Sequence, residues 1–180
     1  AMVQLQGGET FNGKMRDGKV GGTGAIMLTT NDRIEWKWND SHCSGTGVAV
    51  VTFSNGDVYT GALSRLTLNG KGTYKFFETD AEYTGPFVNG IMEGASGCVL
   101  RFANGNVYEG GMKGGAFHGV GTYTVPSKGF VYDGDWRGGK MHGRGSLEFD
   151  NGDVWRGTFE KDRRVSGRYI LSTMFELDVK

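Results

Sequence analysis

Two stretches of the sequence have the glycine–lysine spacing of a phosphate-binding loop, Gly8-x-x-x-x-Gly13-Lys14 and Gly134-x-x-x-x-Gly139-Lys140. Such a loop joins a strand to a helix and needs a Ser or Thr after the lysine to hold magnesium. Met15 and Met141 stand there instead, and neither stretch joins a strand to a helix, so nucleotide chemistry is set aside. The recurring Gly-x-Gly pairs lack the third glycine of a dinucleotide site and are expected to open strands. Of the three histidines, His42, His118 and His142, the last two hold the same phase of a repeat. On a β-sheet that phase puts them about 10 Å apart, too far to share one metal within a chain. A zinc site would have to be completed across a dimer, with Cys43 or Cys98; hydrogen bonding within a hairpin is the simpler role. No Ser/His/Asp set and no paired carboxylates stand out from the repeat. The expectation is therefore a protein that is not an enzyme and has no cofactor and no metal centre. Asn39-Asp40-Ser41 matches a glycosylation acceptor but carries no meaning without a secretory signal, and no signal peptide is apparent.

The elements that position these residues are set by an unusual composition. Among 180 residues there are 33 glycines, only two prolines and 12% aromatics. Phased aromatics argue against a glycine-rich linker, and scarce proline suits strands, because proline deletes a ladder donor. Twenty basic side chains balance twenty acidic ones. Nucleic-acid binding, which depends on neutralising many phosphates, is not expected from that balance. No run of eighteen apolar residues offers a membrane-spanning helix. The two cysteines occupy different phases, so no disulfide framework is expected, and a cytoplasmic chain is the reading.

A period dominates everything else. With an aromatic or large apolar residue at position one, units begin at Phe11, Ile34, Tyr59, Tyr83, Tyr108, Tyr132 and Trp155, at spacings of 23 to 25 residues. Position three is glycine in every unit except the second, where Trp36 stands. Position five is Met15, Trp38, Leu63, Phe87, Met112, Trp136 or Phe159, and positions twelve and fourteen are a glycine pair in five units. Within the sixth unit, Tyr132 to Trp136 alternates as a strand, Arg137-Gly138-Gly139-Lys140 supplies a turn, and Gly143-Arg144-Gly145 is expected to open a second strand, Ser146 to Phe149. Asp150-Asn151-Gly152-Asp153 then resets the pattern. Fixed-period self-similarity over the chain means a repeat array in which each unit packs on its neighbours. Residues 1–10 read as the tail of a preceding repeat with a possible cloning remnant at Ala1-Met2, residues 11–168 as seven repeats, and residues 169–180 as a cap or dimerisation strand. The second unit gains two residues before Phe53, which predicts a bulge, and the third has Leu66 where a turn glycine belongs.

These units resemble MORN repeats (membrane occupation and recognition nexus), with a pattern close to YxGxWxxGxxxGxG over roughly 23 residues. YEGGMKGGAFHGVGTY and YDGDWRGGKMHGRGSL match it best. The resemblance implies an all-β fold: an elongated, single-layer, twisted antiparallel sheet of consecutive β-hairpins, here a C-terminal fragment of a longer array. It also implies a non-enzymatic scaffold of a cytoskeletal or membrane-associated assembly, with the regulatory MORN segment of a larger protein as an alternative. A ladder of stacked rings is expected along one face, and Tyr59, Tyr83, Tyr108, Met112, Tyr132, Trp136 and Trp155 are the candidates to line a groove for protein partners. The apolar ending, Tyr169, Ile170, Met174, Phe175 and Leu177, is either a plain cap or the surface of an end-to-end homodimer. The basic cluster Arg156, Lys161, Arg163, Arg164 and Arg168 nets three positive charges against Glu160 and Asp162. It is either a solvated end or a weak site for anionic phospholipids, at about 1 kcal/mol per basic residue.

Overall fold

In a computed structural model of the chain, the described residues are 2–5, 7–39 and 45–172. Contacts divide the chain into two compact units, Ala1–Ile91 and Met92–Lys180. The first contains β1 (Met2–Gln4), β2 (Thr10–Arg16), β3 (Lys19–Met27), β4 (Arg33–Trp38), β5 (Gly45–Thr52), β6 (Val58–Ser64), β7 (Thr67–Lys75) and β8 (Glu82–Val88). A two-residue strand, β9 (Ile91–Met92), falls at the division. The second contains β10 (Gly94–Arg101), β11 (Val107–Lys113), β12 (Ala116–Val125), β13 (Phe130–Arg137), β14 (Lys140–Phe149), β15 (Val154–Glu160) and β16 (Arg163–Ile170), with one 3-10 turn at Pro126–Lys128. Within each unit every strand pairs antiparallel with the next in chain order. The fold is all-β, an open succession of hairpins, as the repeat predicts.

The two rims of each unit's sheet are built differently. On one, hairpins close through two residues that both have positive φ, for example Gly138 (57°) and Gly139 (79°), the turn whose twist matches that of paired strands. Arg65 (49°) and Leu66 (61°), and Lys161 (50°) and Asp162 (71°), adopt the same turn without glycine. On the other rim, longer turns such as Phe53–Asp57 close with Phe53 N donating to Asp57 O and Gly56 N to Phe53 O, both 2.9 Å. Asn55 there fastens Asp57 through both side-chain amide atoms, at 2.9 and 3.0 Å, and Asn151 repeats this with Asp153.

One expectation needs correcting. The second strand of the sixth unit begins at Lys140, directly after the tip, and runs through Gly143 to Phe149. The register explains how: Gly134 pairs with Gly145 but Trp136 with Met141, so one residue of β13 faces three of β14. Gly143 sits inside this bulge at φ 72°, a conformation that costs an L side chain on the order of 1–2 kcal/mol. Glycine at position twelve therefore does not open the strand; it lets the strand bulge. The same step occurs in β2–β3, β4–β5, β6–β7 and β11–β12; it is common to units without added residues and so is not the bulge expected in the second unit, whose extra length lies between Trp38 and Gly45.

Candidate functional site

The register aligns the large apolar residues into one cross-strand row per unit. In the second it runs Leu100, Tyr108, Tyr123, Tyr132, Leu147, Trp155, Tyr169 across seven strands. In the first it runs Val3, Phe11, Ile26, Ile34, Val51, Tyr59, Tyr74, Tyr83. Two residues further along each strand lies a second row, Gly110, Gly121, Gly134, Gly145, Gly157, Gly167, on the same face. The rings lie down on these glycines. A Cβ on Gly145 would fall 2.6 Å from the Tyr132 ring and its hydroxyl, well inside van der Waals contact. Position fourteen is glycine because a ring occupies the space a side chain would take.

Each tyrosine is then fastened at its far end. Tyr59, Tyr83, Tyr108 and Tyr132 donate their hydroxyls to the carbonyls of Ala62, Pro86, Gly111 and Asp135, three residues on, at 2.7 to 2.9 Å. In the third, fifth and sixth repeats that carbonyl stands opposite the bulge. Position-five rings wedge between successive position-one rings. Trp136 meets Tyr108 at 5.4 Å and Tyr132 at 5.1 Å, and Phe159 meets Tyr132 at 4.9 Å and Trp155 at 4.7 Å, all edge-to-face. Trp136 also donates its indole N–H to Gly121 O (2.9 Å), as Trp38 does to Gly24 O (2.8 Å). Burial pushes the Tyr108 phenol up to about 12 and raises those of Tyr59 and Tyr132 as well. Each buried ring is worth roughly 1.5–3 kcal/mol, so the ladder holds together a sheet that has no second layer to pack on.

The seven residues expected to line a partner groove, Tyr59, Tyr83, Tyr108, Met112, Tyr132, Trp136 and Trp155, are at most 7% exposed. They are the interior of the ladder. The surface of the row is carried by its alternate members, which position-one reasoning missed: Tyr74, Leu100, Tyr123 and Leu147 are half-buried and Tyr169 is 54% exposed. The signal was available in the period, since these residues fall fifteen or so after each position-one ring and face it across a hairpin. The second unit of the repeat solves the loss of its glycine by exchange: Ile34 holds position one, and the Trp36 ring takes the place over Gly45.

At the last described strand the ladder is covered differently. Arg164 lays its guanidinium over Trp155 (5.6 Å) and Tyr169 (5.5 Å) and donates to the Tyr169 hydroxyl. It covers Trp155 where a further repeat would put a position-five ring. Of the expected dimer residues, Tyr169 and Ile170 end β16, while Met174, Phe175 and Leu177 lie outside the described residues. The expected basic cluster is not brought together on one face: Arg164 lies on the ring face, Arg156 and Arg168 are opposite each other on the other face, and Lys161 and Arg163 lie at the last hairpin tip.

The longer turns are tied to one another by carboxylates. Asp57, 8% exposed, accepts from Phe77 N (2.8 Å), Tyr74 Oη (2.7 Å) and Asn55 Nδ2 (2.9 Å). Desolvation pushes this carboxyl up, but the Phe77, Tyr74 and Asn55 bonds together outweigh it and hold it below its ordinary value. Asp32 accepts from Ser54 N, and Asp153 from Ser172 N, in the same manner. In the fifth unit Asn106 replaces the acid, and its Nδ2 donates to Tyr123 Oη (2.9 Å) while its Oδ1 is buried without a partner. Residue 126, which corresponds to Phe77, is proline and has no N–H to give.

The remaining candidates dissolve into this framework. Gly134 and Gly139-Lys140 belong to a strand and a hairpin tip, with no helix beside them. His118 and His142 are half-buried on β12 and β14, and Cys98 is fully buried; no group of three His, Cys, Asp or Glu among the described residues is placed to hold a metal. His42 and Cys43, with the Asp40-Ser41 part of the glycosylation match, lie outside the described residues. Among the described residues no helix is long and apolar enough to cross a membrane.

This hairpin geometry is that of a known repeat class. The two most regular units, residues 108–129 and 132–154, match the family model described as MORN repeat. Among solved structures the chain is similar to the SAS-4 (dCPAP) TCP domain in complex with a proline rich motif of Ana2 (dSTIL) of Drosophila melanogaster. The identity is 11%, over 96% of this chain and 89% of that one, with a TM-score of 0.45. It is also similar to the wild-type TCP10 domain of Danio rerio CPAP, at 13% identity over 93% of this chain and 99% of that one, with a TM-score of 0.29. No curated protein matches the chain.

Proposed function

We propose that this protein is a non-enzymatic scaffold that binds protein partners in a cytoskeletal or membrane-associated setting. The observation that carries the reading is the half-exposed apolar row over a buried ladder. Tyr74, Tyr123, Leu147 and Tyr169 offer rings and branched carbons with little freedom left to lose, because the row beneath them is already packed. Preordered aromatic surface is what protein interfaces favour. In this reading the seven buried residues support the groove and their neighbours touch the partner. Self-association belongs to the same proposal: Tyr169 and Ile170 present apolar surface on the last described strand, and a second copy is an occupant that would cover it.

Light-scattering mass on a sizing column tests self-association directly, using the full chain and Tyr169→Asp with Ile170→Asp. A dimer that becomes a folded monomer in the variant supports an interface at this end; a monomer in both removes self-association from the proposal. For the groove, crosslinking from a photoreactive residue at Tyr123 should capture protein partners that Tyr123→Asp no longer captures. Anionic phospholipids are the second reading, favoured by the exposed arginines near the C-terminal end. Pelleting with phosphatidylserine vesicles at low salt, abolished by Arg163→Glu with Arg164→Glu, would support it over the first.

A further inference from the structure

The face of the sheet away from the rings carries a feature that the ladder does not explain. Alternation places Arg144, Arg156 and Arg168 on that face, on three successive strands. Arg156 stands directly opposite Arg168 in the β15–β16 ladder, and Arg144 is opposite Thr158, one diagonal step from Arg156. Directly opposed side chains have Cβ atoms about 5 Å apart, and like charges there repel. No ion pair relieves them: among the described residues the side-chain ion pairs are Arg33–Glu35 and Lys75–Asp80. All three arginines are exposed. Beside Arg144 and Arg156 runs a shallow groove of about 440 Å³, with Gly134, Gly145 and Gly157 as its floor and Asp133, Arg144, Ser146, Arg156 and Thr158 as its walls; Arg168 stands next to it, opposite Arg156. The glycine floor is a by-product of the ring slots on the other face, and it leaves backbone open to whatever lies in the groove.

We propose that this groove binds an extended acidic peptide segment of a partner protein. Three arginines on one face, two directly opposed and the third a diagonal step away, stand with the Ser146 and Thr158 hydroxyls within reach of the carboxylates of an extended chain, whose like-facing side chains recur every 6.6–6.8 Å or so. Four strands span about 14 Å, room for four or five such residues. The recessed floor favours an inserted chain over a flat membrane surface, which protruding cations would serve better. Asp133, whose carboxylate accepts from Thr122 Oγ1 at 3.2 Å, closes the inner end, so the acidic segment enters from the β16 side.

The test uses the full chain and a fluorescein-labelled hexaglutamate peptide, read by anisotropy at low salt, with hexaglutamine as the neutral control. Binding of hexaglutamate alone is expected, weakened at least tenfold by Arg156→Gln with Arg168→Gln and unchanged by Arg163→Gln at the hairpin tip. The double variant should melt no lower than the parent, since it removes a repulsion; if it does not fold, Arg144→Gln on the neighbouring strand replaces it and should also weaken binding. Failure of hexaglutamate to bind, or binding indifferent to all three arginines, overturns the proposal. Phosphatidylserine vesicles that pellet the chain through these same arginines while the peptide does not bind would also overturn it and give the groove to a membrane.

Discussion

Replacing Gly145 by alanine separates the two reasons a glycine can be required. Gly145 lies in a paired strand without positive φ, so its backbone suits alanine. Were nothing above it, Gly145→Ala would stabilise by about 0.4–1 kcal/mol through the unfolded chain. The Tyr132 ring lies above it, however, and an added Cβ would stand 2.6 Å from that ring where ordinary contact needs nearly 1 Å more. The ring is 0% exposed, held by Trp136 at 5.1 Å, by Phe159 at 4.9 Å and by its own hydrogen bond to Asp135 O. It can yield only by disturbing all three. The expected cost is therefore that of overpacking, about 1–3 kcal/mol, seen as a fall of several degrees in thermal midpoint and a lower urea midpoint at unchanged slope. A double-mutant cycle supplies the decisive figure. In a Tyr132→Ala background, itself destabilised, the same Gly145→Ala change should become neutral or stabilising, which gives a coupling energy of at least 1 kcal/mol or so. Equal destabilisation in both backgrounds would refute the ring-on-glycine account and move the cost to the backbone.

Three further predictions rest on individual turns. Leu66→Gly should stabilise the protein by about 0.5–1 kcal/mol, because Leu66 sits at φ 61° in a hairpin tip that glycine adopts freely; an unchanged or lower melting temperature would count against the strain. Asp57→Ala should cost about 1.5–3 kcal/mol at pH 7, since the carboxylate accepts three bonds. As the folded Asp57 carboxyl titrates below its ordinary value, that stabilisation is complete above about pH 5 and is lost as pH falls through the folded value. The gap between parent and variant should therefore shrink in melts below pH 4, and a gap that widens there would contradict the assignment. Asn106→Asp should destabilise alone but be rescued in part by Pro126→Ala, which restores an amide where Phe77 N serves Asp57; absence of rescue would disprove the correspondence.

Much of this was legible in the residues. The strand pairing and the ring ladder follow from aromatics at positions one and five, and Trp36 standing for glycine marked the unit that packs differently. What could not be read was which side of a ring faces water. Burial of Tyr132 depends on Trp136 and Phe159 closing over it, a property of the neighbouring hairpin, so the burial of the candidates chosen for the groove was not legible. The glycine pair was likewise visible but misassigned, because Gly143 and Gly145 answer to different demands, one on φ and one on space. Arg164 was grouped with a basic cluster on sequence proximity, whereas β16 turns it over Trp155. Nothing local to Asn106 announced its orphaned oxygen; the cause is a proline twenty residues away.

The contrast between the two rims bears on how such a chain can vary over time. At the two-residue tips a single added residue would slip the register and turn every ring to the wrong face. Length varies at both rims: the longer turns run from five residues at Phe53–Asp57 to six at 76–81, and six residues separate Trp38 from Gly45 where other tips have two. New sequence can thus enter along either border where the strand register is kept. In each unit these borders are places where the protein can acquire recognition elements by insertion, without renegotiating the ladder that folds it.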